Sequence, residues 1–277
     1  MSTEAGSPAG CLVVCPTPIG NLGDITQRSV EALRSADVVA SEDTRRTRIL
    51  LEHLGIDARP IALHDKNERS AAAGLISKVR DGGTVVLVSD AGTPVVSDPG
   101  FLLVRACIEE GLRVEVLPGA TAVTTALVLS GLPADSFRFI GFLPRRPGDL
   151  KRVFDESRET LVAFDSPKRI TATITQLAEA EPERQVVVCR ELTKIHEEAI
   201  RGTAAEVAAE LAGRDVKGEI TVVIGPPAER EFDSAAALKA VRELVAEGAR
   251  PRTAARVIAG LTGLRANDLY SARDDSD

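Results

Sequence analysis

The sequence predicts an α/β protein with two α/β domains and a small helical module at its C-terminal end. Three observations support this fold class. In the first part of the chain, three apolar, strand-like runs alternate with helical patterns, in the order "CLVVCPTP", "TVVLVSD" and "RVEVLPG", as is typical of βαβ units in a parallel sheet. A second series of strand-like runs follows, and the last segment has only helical patterns. The 277 residues, 44% of them apolar, suit two domains of ordinary size.

The domain boundaries follow the changes in these patterns. We expect a flexible N-terminus at residues 1–10, an N-terminal α/β domain at 11–119, a C-terminal α/β domain at 120–230 and a helical tail at 231–277. Five strand-like runs make up the second domain: "FRFIGFLP", "ETLVAFDSP", "RQVVVCREL", "EEAIRGT" and "GEITVVIGPP". The tail has three helical patterns that together resemble a helix-turn-helix module. Its excess of arginine and lysine indicates either an RNA-facing patch or a solvated packing or dimerisation surface.

The helices of the first domain have recognisable ends. In "DITQRSVEALRSAD", Asp24 and Gln27 have the spacing of an N-terminal capping box. The run "VVASEDTRRTRILLEHLG" predicts a strand, a polar turn and a helix that ends at Gly55. In "SDPGFLLVRACIEEG", we expect Asp98 to cap a helix whose first residue is Pro99.

Two helix starts are also expected in the second domain. One lies at Ser166–Pro167, directly after a strand-like run. The other lies at Thr203, which with Glu206 has the Thr-x-x-Glu spacing of a capping box.

Three loops of the first domain share an unusual composition of glycine, proline and small residues. They are residues 16–24 ("PTPIGNLGD"), 89–100 ("SDAGTPVVSDPG") and 118–123 ("PGATAV"). Each follows a strand, so all three should meet at one edge of the sheet, where ligands bind in open α/β folds. Glycine allows backbone to approach a ligand closely, and proline keeps a loop ordered before binding. Any one loop could be an ordinary tight turn, but three at one edge predict a binding site.

Several common chemistries are excluded by missing motifs. The sequence has no GxxxxGK[ST], GxGxxG, HExxH, GxSxG or paired CxxC motif. We expect no metal site, and we expect the four cysteines to be buried thiols. A net charge of −7 argues against non-specific coating of nucleic acid. No apolar run has the length of a membrane helix, and "MSTEAGSPAG" lacks the features of a secretory signal, so a cytoplasmic protein is expected.

Eight motifs follow one another between about residues 11 and 270: "TPIGNLGDIT", "SEDTRRTRILLEHLGI", "SDAGTPVVSDPG", "LPGATAVTTALVLSGLP", "FIGFLPRR", "DSPKRI", "CRELTKIHEE" and "KGEITVVIGP". Together they resemble the ribosomal RNA small subunit methyltransferase I family, which belongs to the tetrapyrrole methylase superfamily. The resemblance implies two α/β domains with a cleft between them for S-adenosylmethionine. It also implies methylation of the ribose 2′-oxygen of a cytidine in the decoding region of 16S rRNA.

The resemblance assigns cofactor-binding residues on both domains. On the first domain they are Pro18, Gly20, Ala91, Gly92, Thr93, Val96, Thr121 and Ala122. On the second domain they are Phe164, Asp165, Ser166 and Gly218. One motif departs from the family's pattern, because "DSPKR" stands where "ESPHR" is expected. That difference puts a proton-accepting role of the family's histidine in doubt here, and Lys168 could bind phosphate instead.

A ribose hydroxyl is a poor nucleophile, so a nearby base should take its proton. The candidates are Glu42, Asp43, Asp98 and Asp165, with Lys168 possible if burial lowers its pKa. Helix capping is the structural alternative for Asp43 and Asp98, and it is favoured more strongly for Asp98 because Pro99 follows it. We therefore prefer Asp43 as the proton acceptor.

The RNA should contact basic residues around the cleft. The candidates are Arg45, Arg46, Arg48, Arg145, Arg146, Lys168 and Arg169. Folded 16S rRNA within the 30S subunit is the expected partner, and the resemblance implies a homodimer. Two rival functions stay open: methylation of a tetrapyrrole precursor, and ribosome binding without catalysis.

Overall fold

A computed structural model of the protein describes residues 10–227 and 234–271. The chain divides into two compact units, Met1–Pro227 and Ala228–Asp277. The expected flexible N-terminus lies outside the described residues, apart from Gly10. So do residues 228–233, which span the expected boundary between the C-terminal domain and the helical tail, and residues 272–277 at the end of that tail. Both α/β domains belong to the first unit.

The N-terminal domain is built on a parallel sheet with the strand order β3-β2-β4-β1-β5. Its strands are β1 (Cys11–Val14), β2 (Val38–Ser41), β3 (Ile61–Ala62), β4 (Thr84–Val88) and β5 (Arg113–Val116). The helices between them are α1 (Gln27–Ser35), α2 (Thr44–His53), α3 (Glu68–Arg80) and α4 (Phe101–Glu109). The central strands are buried on both faces, which explains why they are continuous apolar runs.

The helices cover opposite faces of this sheet, and that arrangement defines where a ligand can bind. Leu33 of α1 and Leu51 of α2 pack with one face of the sheet. Leu75 of α3 and Leu103 of α4 pack with the other. Neighbouring strands β1 and β4 therefore send their following helices to opposite faces. A crevice opens between such strands at the carboxyl edge of an open sheet.

The C-terminal domain has five strands, as the five strand-like runs predicted, and they form a mixed sheet with the strand order β6-β7-β10-β8-β9. Its strands are β6 (Phe137–Phe142), β7 (Thr160–Asp165), β8 (Gln185–Arg190), β9 (Glu198–Thr203) and β10 (Ile220–Ile224). Only β6 and β7 pair in parallel; the other pairs in the described sheet are antiparallel. Its helices are α5 (Ala122–Ser130), α6 (Pro147–Glu156), α7 (Ile170–Ala180) and α8 (Ala204–Leu211).

Helix α5 connects the two domains and packs on the second sheet. Its buried residues Val123, Ala126 and Leu127 share a core with the strand residues Val162, Val187 and Val223. Ile19, from the loop after β1, and Leu192, from the loop after β8, are buried in the same core. The loops of the first domain are therefore packed directly against the second domain.

Three expected helix starts are wrong. The N-cap of α1 is Thr26, whose hydroxyl accepts from the backbone N–H of Ser29 at 3.1 Å, because Asp24 belongs to a separate 3₁₀ turn, Leu22–Asp24. Helix α7 begins at Ile170 because Ser166–Arg169 forms a turn first. Helix α4 begins at Phe101, after Gly100, so Asp98 does not cap it. The Thr203–Glu206 capping box at the start of α8 is confirmed.

The second unit contains three helices among its described residues, as predicted. They are α9 (Ser234–Ala246), α10 (Pro251–Thr262) and α11 (Ala266–Ser271). Small residues dominate its core, where Ala237, Ala254 and Ala255 pack with Val241 and Leu269. No helix in the described parts of the chain combines the length and apolarity needed to cross a membrane.

Candidate functional site

A cavity of about 520 Å³ lies between the carboxyl edge of the first sheet and the strand ends of the second. All three of the glycine- and proline-rich loops contribute to it, as expected. The loop after β1 supplies Ile19, the loop after β4 supplies Asp90–Thr93 and Val96–Asp98, and the loop after β5 supplies Thr121–Val123. The cavity thus lies at the crevice between β1 and β4.

Ten of the residues assigned by resemblance line this cavity: Ala91, Gly92, Thr93, Val96, Thr121, Ala122, Phe164, Asp165, Ser166 and Gly218. Pro18 and Gly20 are not among the lining residues; Ile19, between them, is. A side chain at Gly20 would place its Cβ 2.5 Å from Lys194 Cγ and 2.8 Å from the carbonyl oxygen of Leu192. Gly20 therefore allows the loop after β1 to pack against residues 192–194 of the second domain.

The loop after β4 is held in a conformation that few side chains adopt. Val95 and Ser97 have φ angles of 76° and 65°. A positive φ at a β-branched residue is rare, and such backbone costs about 1–3 kcal/mol. Two backbone hydrogen bonds of 2.9 and 3.0 Å between Thr17 and Gly92 tie this loop to the loop after β1.

Glu68 of α3 fixes the other end of this loop. Its buried carboxylate oxygen Oε1 accepts from the backbone N–H groups of Gly100, at 3.0 Å, and Leu102, at 2.8 Å. These N–H groups lie at the start of α4, where a carboxylate is favoured by the helix dipole. Glu68 therefore caps α4 in place of Asp98 and fixes the end of the loop.

The second domain contributes an aromatic wall. Phe164 has edge-to-face contacts with Phe139 and Phe142, with ring centroids 5.1 and 5.5 Å apart. Phe142 and Phe164 line the cavity, and Phe142 is largely exposed. Aromatic rings of this kind suit a flat, apolar ligand surface such as a nucleobase.

Asp165 is buried in a network that uses both of its carboxylate oxygens. Oδ1 accepts from the Ser166 N–H at 2.7 Å and forms an ion pair with the Arg169 guanidinium; Oδ2 accepts from the Thr173 hydroxyl at 2.7 Å. Arg169 also donates to the carbonyl oxygens of Leu143 and Pro144. These contacts join the ends of β6 and β7 to α7. Asp165 and Arg169 thus have partners within the protein, which disfavours the roles of proton acceptor and phosphate ligand expected for them.

The carboxylate of Asp43, the preferred proton acceptor, also has a hydrogen-bond partner within the protein. Its Oδ1 accepts from the N–H of Arg45 at 2.8 Å, so that it is the N-cap of α2, and it is not among the residues that line the cavity. Its own N–H donates to Asp90 Oδ1 at 2.9 Å. Helix capping is therefore the role of Asp43. Asp98, for which capping was favoured more strongly, instead lines the cavity.

The pKa of Asp98 is raised to about 6: burial is the largest cause, a hydrogen bond from Ser89 lowers the pKa, and the negative charges of Glu42, Asp90 and Asp65 raise it. Burial also raises the pKa of Glu42. Glu42 and Asp98 therefore belong to an acidic wall of the cavity, and their carboxylates take up a proton more readily than they would in water.

The basic candidates lie in different settings. Arg46 lines the cavity, and its Nη1 lies 3.6 Å from Asp90 Oδ2, so it belongs to the wall of the cavity. Arg45, Arg48, Arg145, Arg146 and Lys168 are exposed. Lys168 is not a lining residue of the cavity, which disfavours it as the proton acceptor.

No group of three or more histidine, cysteine, aspartate or glutamate residues in the described parts of the chain is arranged to hold a metal ion. The four cysteines are buried free thiols, as expected. Burial raises the pKa of Cys15 and of Cys189 to about 11. Both thiols are therefore uncharged near neutral pH.

The sequence pattern did not identify several residues that line the cavity: Phe142, Leu192, Glu219, Ile220 and Thr221. They lie at or next to the ends of β6, β8 and β10. Because the strands of this sheet run in both directions, the sequence does not show which strand ends meet. Their position next to strand-like runs was the signal in the sequence that could have identified them. Glu191 and Thr193, with φ angles of 51° and 64°, mark the same loop that carries Leu192.

The chain is similar in sequence to a known protein family and to individual known proteins. The family described as Tetrapyrrole (Corrin/Porphyrin) Methylases matches residues 12–208. Proteins named Ribosomal RNA small subunit methyltransferase I are similar over nearly the full chain. The protein from Micromonospora olivasterospora is 45% identical over 96% of this chain and 87% of its own. The one from Mycobacterium tuberculosis (strain ATCC 25618 / H37Rv) is 46% identical over 95% and 94%, and that from Escherichia coli O157:H7 is 41% identical over 96% and 96%.

Solved structures share the fold at low sequence identity. A diphthine synthase aligns with a TM-score of 0.61 at 18% identity, over 78% of this chain and 90% of its own. A uroporphyrin-III C-methyl transferase from Thermus thermophilus, complexed with S-adenyl homocysteine, aligns with a TM-score of 0.56 at 20% identity, over 77% and 97%. These structures confirm the two-domain architecture.

We predict that Asp165→Asn destabilises the first unit by about 2 kcal/mol or more, because a buried charge pair is left with one partner. Urea denaturation measures the change. The matched control is Asp155→Asn, which removes an exposed ion pair with Lys151 and should cost less than about 0.5 kcal/mol. Equal effects of the two substitutions would contradict a structural role for Asp165.

Proposed function

This chain belongs to the ribosomal RNA small subunit methyltransferase I family, within the tetrapyrrole methylases, and we propose that it methylates the ribose 2′-hydroxyl of a cytidine in the decoding region of 16S rRNA. The methyl donor is S-adenosylmethionine. The observation that carries the proposal is the preformed cavity between the two domains, in a chain whose similarity to rRNA methyltransferases extends over nearly its whole length.

The cavity fits S-adenosylmethionine in size and chemistry. Its volume of about 520 Å³ lies within the usual range for small-molecule sites. Gly92, with a φ of 79°, leaves space that a Cβ would occupy at 3.4 Å from Ile19. Phe142 and Phe164 offer an apolar wall for the adenine, and the acidic wall suits a cationic sulfonium. When bound, the cofactor supplies a methyl group made electrophilic by the positive sulfur.

The protein's contribution to the reaction is mainly positioning. The loop after β4 is already ordered by Thr17 and Glu68, so little conformational entropy is lost when it contacts ligands. Methyl transfer needs the attacking oxygen in line behind the methyl group, and correct orientation of this kind supplies a large part of a typical rate enhancement. A rigid cavity wall therefore favours transfer to a single hydroxyl.

The rivals have less support. A tetrapyrrole acceptor rests on the shared fold alone, since the uroporphyrin methyltransferase is only 20% identical. A ribosome-binding factor without catalysis would not require a preformed cavity with an acidic and an aromatic wall.

We further propose that the 30S subunit, rather than free rRNA, is the partner, and that the protein acts in the cytoplasm as a homodimer. The acidic net charge of −7 favours such a selective partner.

The proposal is tested by methyl transfer from radiolabelled S-adenosylmethionine to 30S subunits that lack this modification, with the labelled nucleotide and atom then mapped. We expect label on a cytidine 2′-oxygen. Subunits that already carry the modification are the control and should stay unlabelled. Label on a base, or on no nucleotide while the cofactor binds, would contradict the proposed acceptor.

We predict that Gly92→Ala weakens S-adenosylmethionine binding by about tenfold or more, because Gly92 lines the cavity and an added methyl group there takes space from the bound cofactor, a cost of about 1–3 kcal/mol. Calorimetric titration measures the affinity. Gly111→Ala is the matched control: it also has a positive φ, 68°, and its Cβ would meet nothing within 4 Å. The two variants should lose similar stability, so a similar loss of affinity in both would contradict a cofactor role for Gly92.

The exposed arginines at residues 45, 145 and 146 are proposed to bind rRNA phosphates. We predict that replacing all three with glutamine makes 30S binding less dependent on salt, because fewer counterions are released when fewer phosphates are neutralised. The slope of the logarithm of the binding constant against the logarithm of the salt concentration should become shallower by about one unit for each arginine that binds a phosphate. The control replaces three arginines near the opposite edge of the first sheet: Arg34, Arg80 and Arg113. An equal change of slope in both variants would contradict a local RNA path.

A further inference from the structure

Five carboxylate side chains line the cavity, counted over the described residues, and three of them form ion pairs within the protein. Asp165 has the buried network with Arg169 and Thr173. Asp90 accepts from the backbone of Asp43 and faces Arg46. Glu219 lies 3.1 Å from the Lys194 ammonium group. The remaining two, Glu42 and Asp98, have no ion pair within 4 Å among the described residues.

Asp98 is the better placed of these two. It lies in the loop after β4, directly after Ser97, whose φ is 65°, and two residues before Gly100, which Glu68 holds through a buried hydrogen bond. It is half-buried, so part of its surface faces the cavity. Its carboxylate is thus held in the wall by a rigid backbone, and capping of α4 does not occupy it because Glu68 has that role.

The electrostatic setting of Asp98 suits a group that gains and loses a proton. Burial is the largest cause of its raised pKa of about 6, followed by the opposing hydrogen bond from Ser89 and then by the negative charges of Glu42, Asp90 and Asp65. Asp165 and Glu219 face the same cavity from the second domain, and Arg46 is the cation beside Asp90. A carboxylate of this basicity is still mostly ionised at neutral pH, yet it is a stronger base than an ordinary aspartate.

We propose that Asp98 is the proton acceptor for the attacking ribose hydroxyl, an inference that rests on the methyl transfer proposed above. As the hydroxyl oxygen forms its bond to the methyl carbon, the carbon–sulfur bond breaks and its electron pair stays on sulfur, which becomes a neutral thioether. The hydroxyl proton passes to the Asp98 carboxylate and from there to solvent. Atoms and charge balance with these reactants alone.

Glu42 acts on this step through Asp98. Its negative charge raises the pKa of Asp98, because a nearby like charge disfavours the ionised form of a carboxyl group. We therefore infer that Glu42 is a positioning residue that tunes the base. Removing its charge should lower the pH at which Asp98 ionises.

The test is single-turnover methyl transfer to unmodified 30S subunits at saturating S-adenosylmethionine, measured as a function of pH. Asp98 must be deprotonated to act, so the wild-type rate should rise with pH and reach half its maximum near the pKa of Asp98, about 6. Asp98→Asn should lower the rate by about 100-fold or more and remove this rise, since general-base catalysis supplies about 100- to 10,000-fold. Glu42→Gln should keep the rise but shift it to lower pH.

Three controls make the outcome decisive. S-adenosylmethionine affinity of Asp98→Asn, measured by calorimetry, reports whether the variant is folded and how much of the acidic wall's attraction for the cofactor is lost; because rates are compared at saturating cofactor, such a loss does not by itself lower the rate. Asp98→Glu, which keeps a carboxylate, should recover part of the rate and the pH dependence. Asp155→Asn removes an exposed carboxylate on α6 and should behave as wild type.

Two results would overturn this inference and leave the proposed function intact. One is an unchanged rate in Asp98→Asn while wild type labels the 30S subunit. The other is weakened cofactor affinity of Asp98→Asn with an unchanged rate at saturating cofactor. The second result would assign Asp98 to binding of the cofactor's positive charge. Absence of labelling by wild type would overturn the proposed function, and this inference with it.

Discussion

The pairing of Thr17 with Gly92 is the contact on which the site depends. Two backbone hydrogen bonds join the loops after β1 and β4 at the point where their helices leave for opposite faces of the sheet. Ile19, two residues further, is then placed in the core of the second domain, between α5 and Leu192. A single short pairing therefore positions one wall of the cavity and the contact between the domains.

Glu68 has a similar role at the other end of the loop after β4. Its buried carboxylate satisfies two backbone N–H groups at the start of α4, which would otherwise be unpaired away from water. This contact stabilises a backbone with strained φ angles at Val95 and Ser97. Strain of this kind persists where surrounding contacts determine the conformation, and such places are often functional sites.

Much of the fold and part of the site could be predicted from local patterns. Strand and helix periodicity predicted both sheets and the three C-terminal helices, and the composition of three loops predicted that they meet at one edge. Those features depend on residues close together in sequence. The predicted starts of α1, α4 and α7 were wrong for different reasons: the nearby Thr26, not Asp24, caps α1, and a turn at residues 166–169 precedes α7. For α4 the cap is Glu68, which lies 32 residues before Gly100.

The sequence by itself determined the α/β architecture, the placement of the loops and the family, since periodicity and ordered motifs are properties of the chain. Only the tertiary structure decided which carboxylates are available. Asp43 and Asp165 are occupied by a helix N-terminus and by Arg169, whereas Asp98 faces the cavity. The physical reason is that the basicity of a carboxylate depends on burial and on neighbouring charges, and strands distant in sequence bring those neighbours together.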